Sequence, residues 1–123
     1  MSLKADKDGH GSIVVLDREG SGLFIMGAGK KDNIVHPAFL VIGADNRPVV
    51  WLGTVGERLS GAMNFYGPGS TFVTIGATSD GGKIVVKNKT GEAVCALGVD
   101  EYGNGVVLAA DRNGKGRTLK PGP

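Results

Sequence analysis

One short pattern recurs along the chain and constrains its fold more than any other feature. It is clearest at residues 83–98, KIVVKNKTGEAVCALG, where an apolar run, a turn at Thr90-Gly91 and a second apolar run follow one another. This order predicts a β-hairpin, because glycine readily adopts the positive φ that tight turns need. The unit recurs about five times, and we therefore predict an all-β protein.

The two ends of the chain carry this pattern in the same register. Residues 5–20 and 99–114 both read D-x-x-G-x-G, then an apolar run, then D-R-x-G. Alignment of the units places a residue suited to positive φ at the second position of every hairpin turn. These residues are Gly20, Asn46, Gly69, Gly91 and Gly114. Asn113-Gly114 predicts a type I′ turn and Pro68-Gly69 a type II turn, so we expect two-residue loops and antiparallel strands.

The strand after each turn has two apolar residues on one face, and we predict that these residues form the core. They are Phe24 and Met26, Val50 and Leu52, Val73 and Ile75, and Cys95 and Leu97. The other face is also largely apolar and includes Trp51. A sheet wetted on one side alternates apolar with polar residues, so both faces should be covered. We expect an antiparallel meander of about ten strands that forms a sandwich, barrel or prism, completed by oligomerisation.

Composition narrows the class of protein. The chain has 123 residues, 22 of them glycine, with 41% hydrophobic residues and a net charge of +2. We expect one β-repeat domain at 5–120, a leader or disordered segment at 1–4 and a tail at 121–123. The small charge predicts no nucleic-acid partner, and no apolar run approaches the roughly 20 residues that span a membrane. A signal peptide is not recognisable, which leaves localisation open between the cytoplasm and an extracellular or phage structure.

The repeat pattern resembles a known class of sequences. Residues 91–108 read G-x-x-V-x-x-L-G-V-D-x-x-G-x-G-V-V-L, which is similar to the short tandem β-hairpin repeats of bacterial proteins and phage tail-associated proteins. The resemblance covers most of 5–120 and is poorest at 62–76. It implies repeated hairpins and oligomeric assembly, and it carries over no catalytic residue.

One segment matches the residue spacing of a calcium-binding loop. Residues 6–17, DKDGHGSIVVLD, follow the calcium-loop spacing, but His10 stands where an oxygen ligand is usual and the flanks read as strands. The same segment recurs at 100–111, where Tyr102 and Val106 occupy ligand positions. We therefore interpret it as a turn, and we expect neither a metal nor a cofactor.

Two links between repeat units are longer than the others, at 28–37 and 54–61. Extra length in a repeat protein usually maps to exposed loops on a binding face. The weak ligand-binding candidates in or near these links are Trp51, His36, Asp32 and Arg58. Trp51 has the ring that stacks on sugars, although packing is the preferred interpretation, and we predict that His10 and His36 are solvated. Cys95 occupies a core position of its repeat, which predicts a buried and inert thiol.

Three functions follow from these patterns. The preferred one is a non-catalytic structural or assembly module that self-associates into a homo-oligomer, with a trimer as one arrangement. The alternative is a ligand-binding module, lectin-like or peptide-binding, that uses 28–37 and 54–61. An enzyme is the third, and we do not expect it, because polar residues from different repeats such as Asn64 and Asp32 would have to converge in one cleft.

Overall fold

The structure is a computed structural model that describes residues 1–5, 10–31, 34–55 and 60–120. Throughout these ranges the regular secondary structure consists of β-strands, with no helix. The all-β prediction is confirmed. The chain divides into two compact units, Met1–Gly61 (unit 1) and Ala62–Pro123 (unit 2).

Unit 1 is an antiparallel meander in which each strand pairs with the next one along the chain. Its strands are β1 (Ser2–Ala5), β2 (Gly11–Leu16), β3 (Gly22–Lys31), β4 (Ile34–Ile42) and β5 (Pro48–Val55). Residues expected in a leader at 1–4 contribute most of β1, which pairs with the first half of β2. The link expected as a loop at 28–37 instead extends the β3–β4 hairpin, with pairing from Ala28↔Pro37 to Lys31↔Ile34.

Unit 2 repeats the same arrangement from Ala62 onward. Its strands are β6 (Ser60–Gly67), β7 (Ser70–Ala77), β8 (Gly82–Lys87), β9 (Ala93–Val99), β10 (Gly105–Ala110) and β11 (Gly116–Leu119). In neither unit do the described first and last strands pair with each other, so each meander is an open sheet. The expected meander is therefore present, without closure inside a unit.

Four of the five hairpin turns share one geometry. All five residues predicted to have positive φ do so, from φ +58° at Asn46 to φ +94° at Gly91. Four of the loops nevertheless have three residues instead of the two that were predicted: in the first, the Asp17 amide donates to the Ser21 carbonyl and the Gly20 amide donates to the Asp17 carbonyl. This is a type I turn followed by a left-handed residue. The type I′ prediction at Asn113-Gly114 is wrong, since positive φ occurs only at Gly114 there.

The third hairpin has the two-residue loop, at Pro68-Gly69, between the paired residues Gly67 and Ser70. Gly69 has φ +85°, as the predicted type II turn requires. Proline fixes φ at the first central position of such a turn, and the second needs positive φ, so a Pro-Gly pair suits both.

Four of the five hairpins also contain a β-bulge at the same place. The strand after the turn has one extra residue, three positions beyond the residue of positive φ. These extra residues are Leu23, Val49, Phe72 and Val94. The described pairing of β10 with β11 continues through the equivalent Arg117 without such a shift. Bulges raise the local twist of a sheet, so the repeats share a bend as well as a turn.

The strand register assigns the side chains to faces. In unit 1, Met26 lies opposite Ile13 and Phe39, and the row continues to the two outer strands. We call the face that bears Met26 in unit 1, and the face that bears Leu97 in unit 2, the ladder face of each unit. Its central row is Leu3, Ile13, Met26, Phe39 and Leu52 in unit 1, and Met63, Ile75, Ile84, Leu97, Val107 and Leu119 in unit 2.

The predicted core positions lie on the ladder face, but they are not buried. Met26, Leu52 and Leu97 are each 44% exposed and Ile75 is 39% exposed. Within the described ranges Ala62 is the one buried hydrophobic residue. The prediction that these residues are buried in a core is therefore wrong for the described part of the chain, where each unit is a single sheet of strands. A stable domain normally needs a second layer.

Candidate functional site

A concavity of unit 1 lies mostly on its ladder face. It has a volume of about 890 Å³ and is lined by side chains from all five strands of the unit, including Leu3, Ile13, Met26, Phe39 and Leu52. Ala28, Pro37 and Thr54 form the adjacent row. Phe24 packs on Phe39, with their ring centroids 5.0 Å apart. Apolar groups dominate this surface, so its chemistry suits an apolar occupant.

The candidate Trp51 lies on the opposite face, across from Leu40 of β4. Its ring covers Gly53: a Cβ placed on Gly53 would lie 2.7 Å from Trp51 Cζ2 and 2.7 Å from the Pro37 carbonyl oxygen. An aromatic ring over a strand glycine covers backbone that would otherwise be exposed. The half-buried ring thus packs on its own strand.

The other candidates are placed as follows. His36 is half-buried on β4, and its Nδ1 lies 3.4 Å from the hydroxyl of Thr54 on β5. Trp51 on β5 pairs with Leu40 on β4, and His36 lies four residues before Leu40 on the same strand. The two candidates are therefore on neighbouring strands but at different positions along them. Asp32 and Arg58 lie outside the described residues. His36 therefore lies on a paired strand and not in the loop that was predicted, because the β3–β4 hairpin continues past it.

Unit 2 has a smaller concavity, of about 290 Å³, on the face opposite its ladder face. Lys83, Gly98, Val106 and Lys120 form one row of its lining. The Lys120 ammonium lies 3.6 Å from Asp100 Oδ2. The Asn104 amide donates to Asp100 Oδ1, and this hydrogen bond contributes most to lowering the pKa of Asp100, with smaller contributions from the Tyr102 amide and from Lys120. The ionised form of Asp100 therefore stabilises its turn.

The calcium-loop imitation falls partly outside the described residues, at 6–9. Its repeat counterpart shows how such an aspartate is used: Asp100 Oδ1 accepts hydrogen bonds from the amides of Tyr102 and Asn104. Asp17 and Asp111 hold their turns in the same way. In the described part of the chain no group of three or more His, Cys, Asp or Glu residues is arranged to hold a metal ion.

Reasoning from the sequence missed the ladder face as a site. It placed the correct residues on one face of each strand, yet it interpreted them as an internal core. The signal was present in the sequence: apolar residues at alternate positions recur in most of the strands, and the same positions line up across the sheet. The candidates it chose instead came from the longer links, one of which is a paired extension of a hairpin.

Comparison with protein-family models and with curated proteins finds no match for this sequence. The described residues include no helix that is long and apolar enough to cross a membrane.

Proposed function

We propose that this protein is a non-catalytic structural module that assembles with copies of itself. One observation carries the proposal: the large apolar side chains described in both units are exposed or only half-buried in the single chain. Eleven strands leave a single buried hydrophobic residue within the described ranges, Ala62. Burial of apolar surface is the dominant favourable term in folding, so a patterned sheet of this kind needs a partner layer.

The accessible surface area of the chain indicates how much surface the proposed contact between copies would bury. The chain exposes 8732 Å². The chain of 12.6 kDa forms two units of similar size, and two compact bodies of half that mass expose about 7,500 Å² together by the surface–mass relation. The excess is about 1,200 Å², within the roughly 1,000–2,500 Å² that one subunit of an obligate oligomer buries. The excess thus matches a permanent interface better than a transient one.

The ligand-binding alternative receives less support. A carbohydrate site needs several placed hydrogen-bonding groups beside its aromatic platform. The ladder-face concavity offers few polar side chains, and Trp51 lies on the other face, over Gly53. The observations therefore favour an apolar macromolecular contact over recognition of a sugar.

Light scattering after size exclusion, at micromolar concentration, tests the proposal. We expect a native mass that is an integral multiple of 12.6 kDa, and the multiple gives the stoichiometry. A folded monomer that persists at these concentrations would overturn the proposal.

A further inference from the structure

We propose that copies of this protein pack on one another through the ladder faces, and that the opposite faces form the outside of the assembly. This inference rests on the proposed self-association and names the surface and the partner for it. The partner is a second copy of this chain, and the hydrophobic core of the protein lies between copies.

Charge distinguishes the two faces. On the ladder face of unit 1, the central row and the two rows beside it, which pass through Phe24 and Ala28, contain no charged residue among the side chains described, and Thr54 is their polar member. Lys30 follows only at the next row, beyond Ala28. In unit 2 the central row and the rows beside it are apolar, except for Arg117 on the outermost strand β11. The opposite faces bear Lys4 in unit 1 and Lys83 in unit 2. A charge buried without a partner is unfavourable, so the ladder faces are the easier ones to remove from water.

The opposite faces are also partly covered by their own side chains. The Trp51 ring lies over Gly53, and the Lys83 side chain lies beside Gly98, where an added Cβ would be 3.6 Å from Lys83 Cγ. On the ladder faces the corresponding side chains remain open: Leu52 and Leu97 are each 44% exposed. The concavity of about 890 Å³ in unit 1 lies on this open face. The uncovered apolar surface is thus concentrated on the ladder faces.

A second copy fits this surface in area and in spacing. The excess accessible area, about 1,200 Å² per chain relative to two compact units, lies within the range that an obligate subunit interface removes. Strands repeat about every 4.8 Å, and two packed sheets lie about 10 Å apart with their inner side chains interdigitated. In every copy of this chain the apolar residues of the ladder face repeat at the spacing of the strands. The side chains of two identical ladder faces can therefore interdigitate when the faces pack on each other.

The single native cysteine reports on this contact without altering it. Cys95 lies on the ladder face of unit 2, two residues from Leu97, and its half-buried thiol is free. Its neighbour Ala96 is half-buried on the opposite face. The experiment compares iodoacetamide alkylation of Cys95 in the wild-type protein with alkylation of the thiol that Ala96→Cys introduces in a Cys95→Ala background. Each rate is divided by the rate of the same thiol in urea.

We expect Cys95 to react at least about tenfold more slowly than the thiol introduced at position 96 in the assembled protein, because Cys95 becomes accessible only when copies separate. Dilution below the dissociation range should remove the difference. Met26→Cys and Ile25→Cys, both in the Cys95→Ala background, make the same comparison for unit 1. Slower alkylation at position 96, or equal protection of the two positions, would overturn the choice of face. A monomeric wild-type protein would instead refute the proposed function itself, so the two failures are distinguishable.

Discussion

At the residue scale, one aromatic ring that covers a glycine accounts for an irregularity in the repeated sequence pattern. The resemblance to hairpin repeats is poorest at 62–76, where Gly67 ends β6. A Cβ added to Gly67 would overlap the ring of Phe72, the extra residue of the β6–β7 bulge. Only glycine fits beneath that ring. The sequence shows the irregularity but not its cause, since the bulge turns a side chain in a way that spacing does not reveal.

A double-mutant cycle tests this contact. Gly67→Ala should lower the free energy of unfolding by about 1–3 kcal/mol, because the new methyl group displaces the Phe72 ring. In a Phe72→Ala background the same change should cost within about 0.5 kcal/mol of zero. Urea denaturation at one fixed protein concentration gives the four values. Additive costs would show that the ring does not cover Gly67.

At the element scale, one turn design holds most of the hairpins. An Asp or Asn side chain accepts two backbone hydrogen bonds across the loop, as Asn88 Oδ1 does from the amides of Thr90 and Glu92. The sequence predicts the left-handed residue of each turn correctly, because few residue types tolerate positive φ. It does not predict the loop length or the bulges, because these depend on how the twisted strands meet.

Lowering the pH should reduce the contribution of the Asp100 turn to the stability of the fold. The pKa of Asp100 is lowered in the folded protein, chiefly by the hydrogen bond from the Asn104 amide. Its contribution to stability is therefore complete above the unfolded-state pKa of 3.8 and is lost as the pH falls through the folded-state value. Asp100→Asn keeps an oxygen acceptor but does not titrate. We expect its urea midpoint to fall less than that of the wild type between about pH 5 and about pH 2.

Glu101→Gln is the matched control for this comparison. It removes a carboxylate from the same turn, one that accepts none of the hydrogen bonds described there. Its urea midpoint should follow the wild-type pH dependence. Identical acid sensitivity of Asp100→Asn and the wild type would contradict the role given to the Asp100 carboxylate.

At the scale of the whole molecule, the central feature is that apolar residues recur regularly along the strands but do not form a buried core in the described part of one chain. The sequence predicts that both faces of the strands are apolar, and it predicts which residues share a face, such as Phe24 with Met26. It does not reveal that these residues are exposed or half-buried in one chain, because the period of two gives the face of a strand and not what lies above it. The layer that covers them belongs, in our proposal, to another copy.

The most direct test of this claim is the urea unfolding midpoint measured over a thousandfold range of protein concentration. If the core lies between copies, folding and association are coupled, and every tenfold rise in concentration adds about 1.4 kcal/mol per association step. We predict that the midpoint rises steadily with concentration. A cooperative transition with the same midpoint at every concentration would contradict the account, because it would mean that one chain is stable alone with its ladder faces in water.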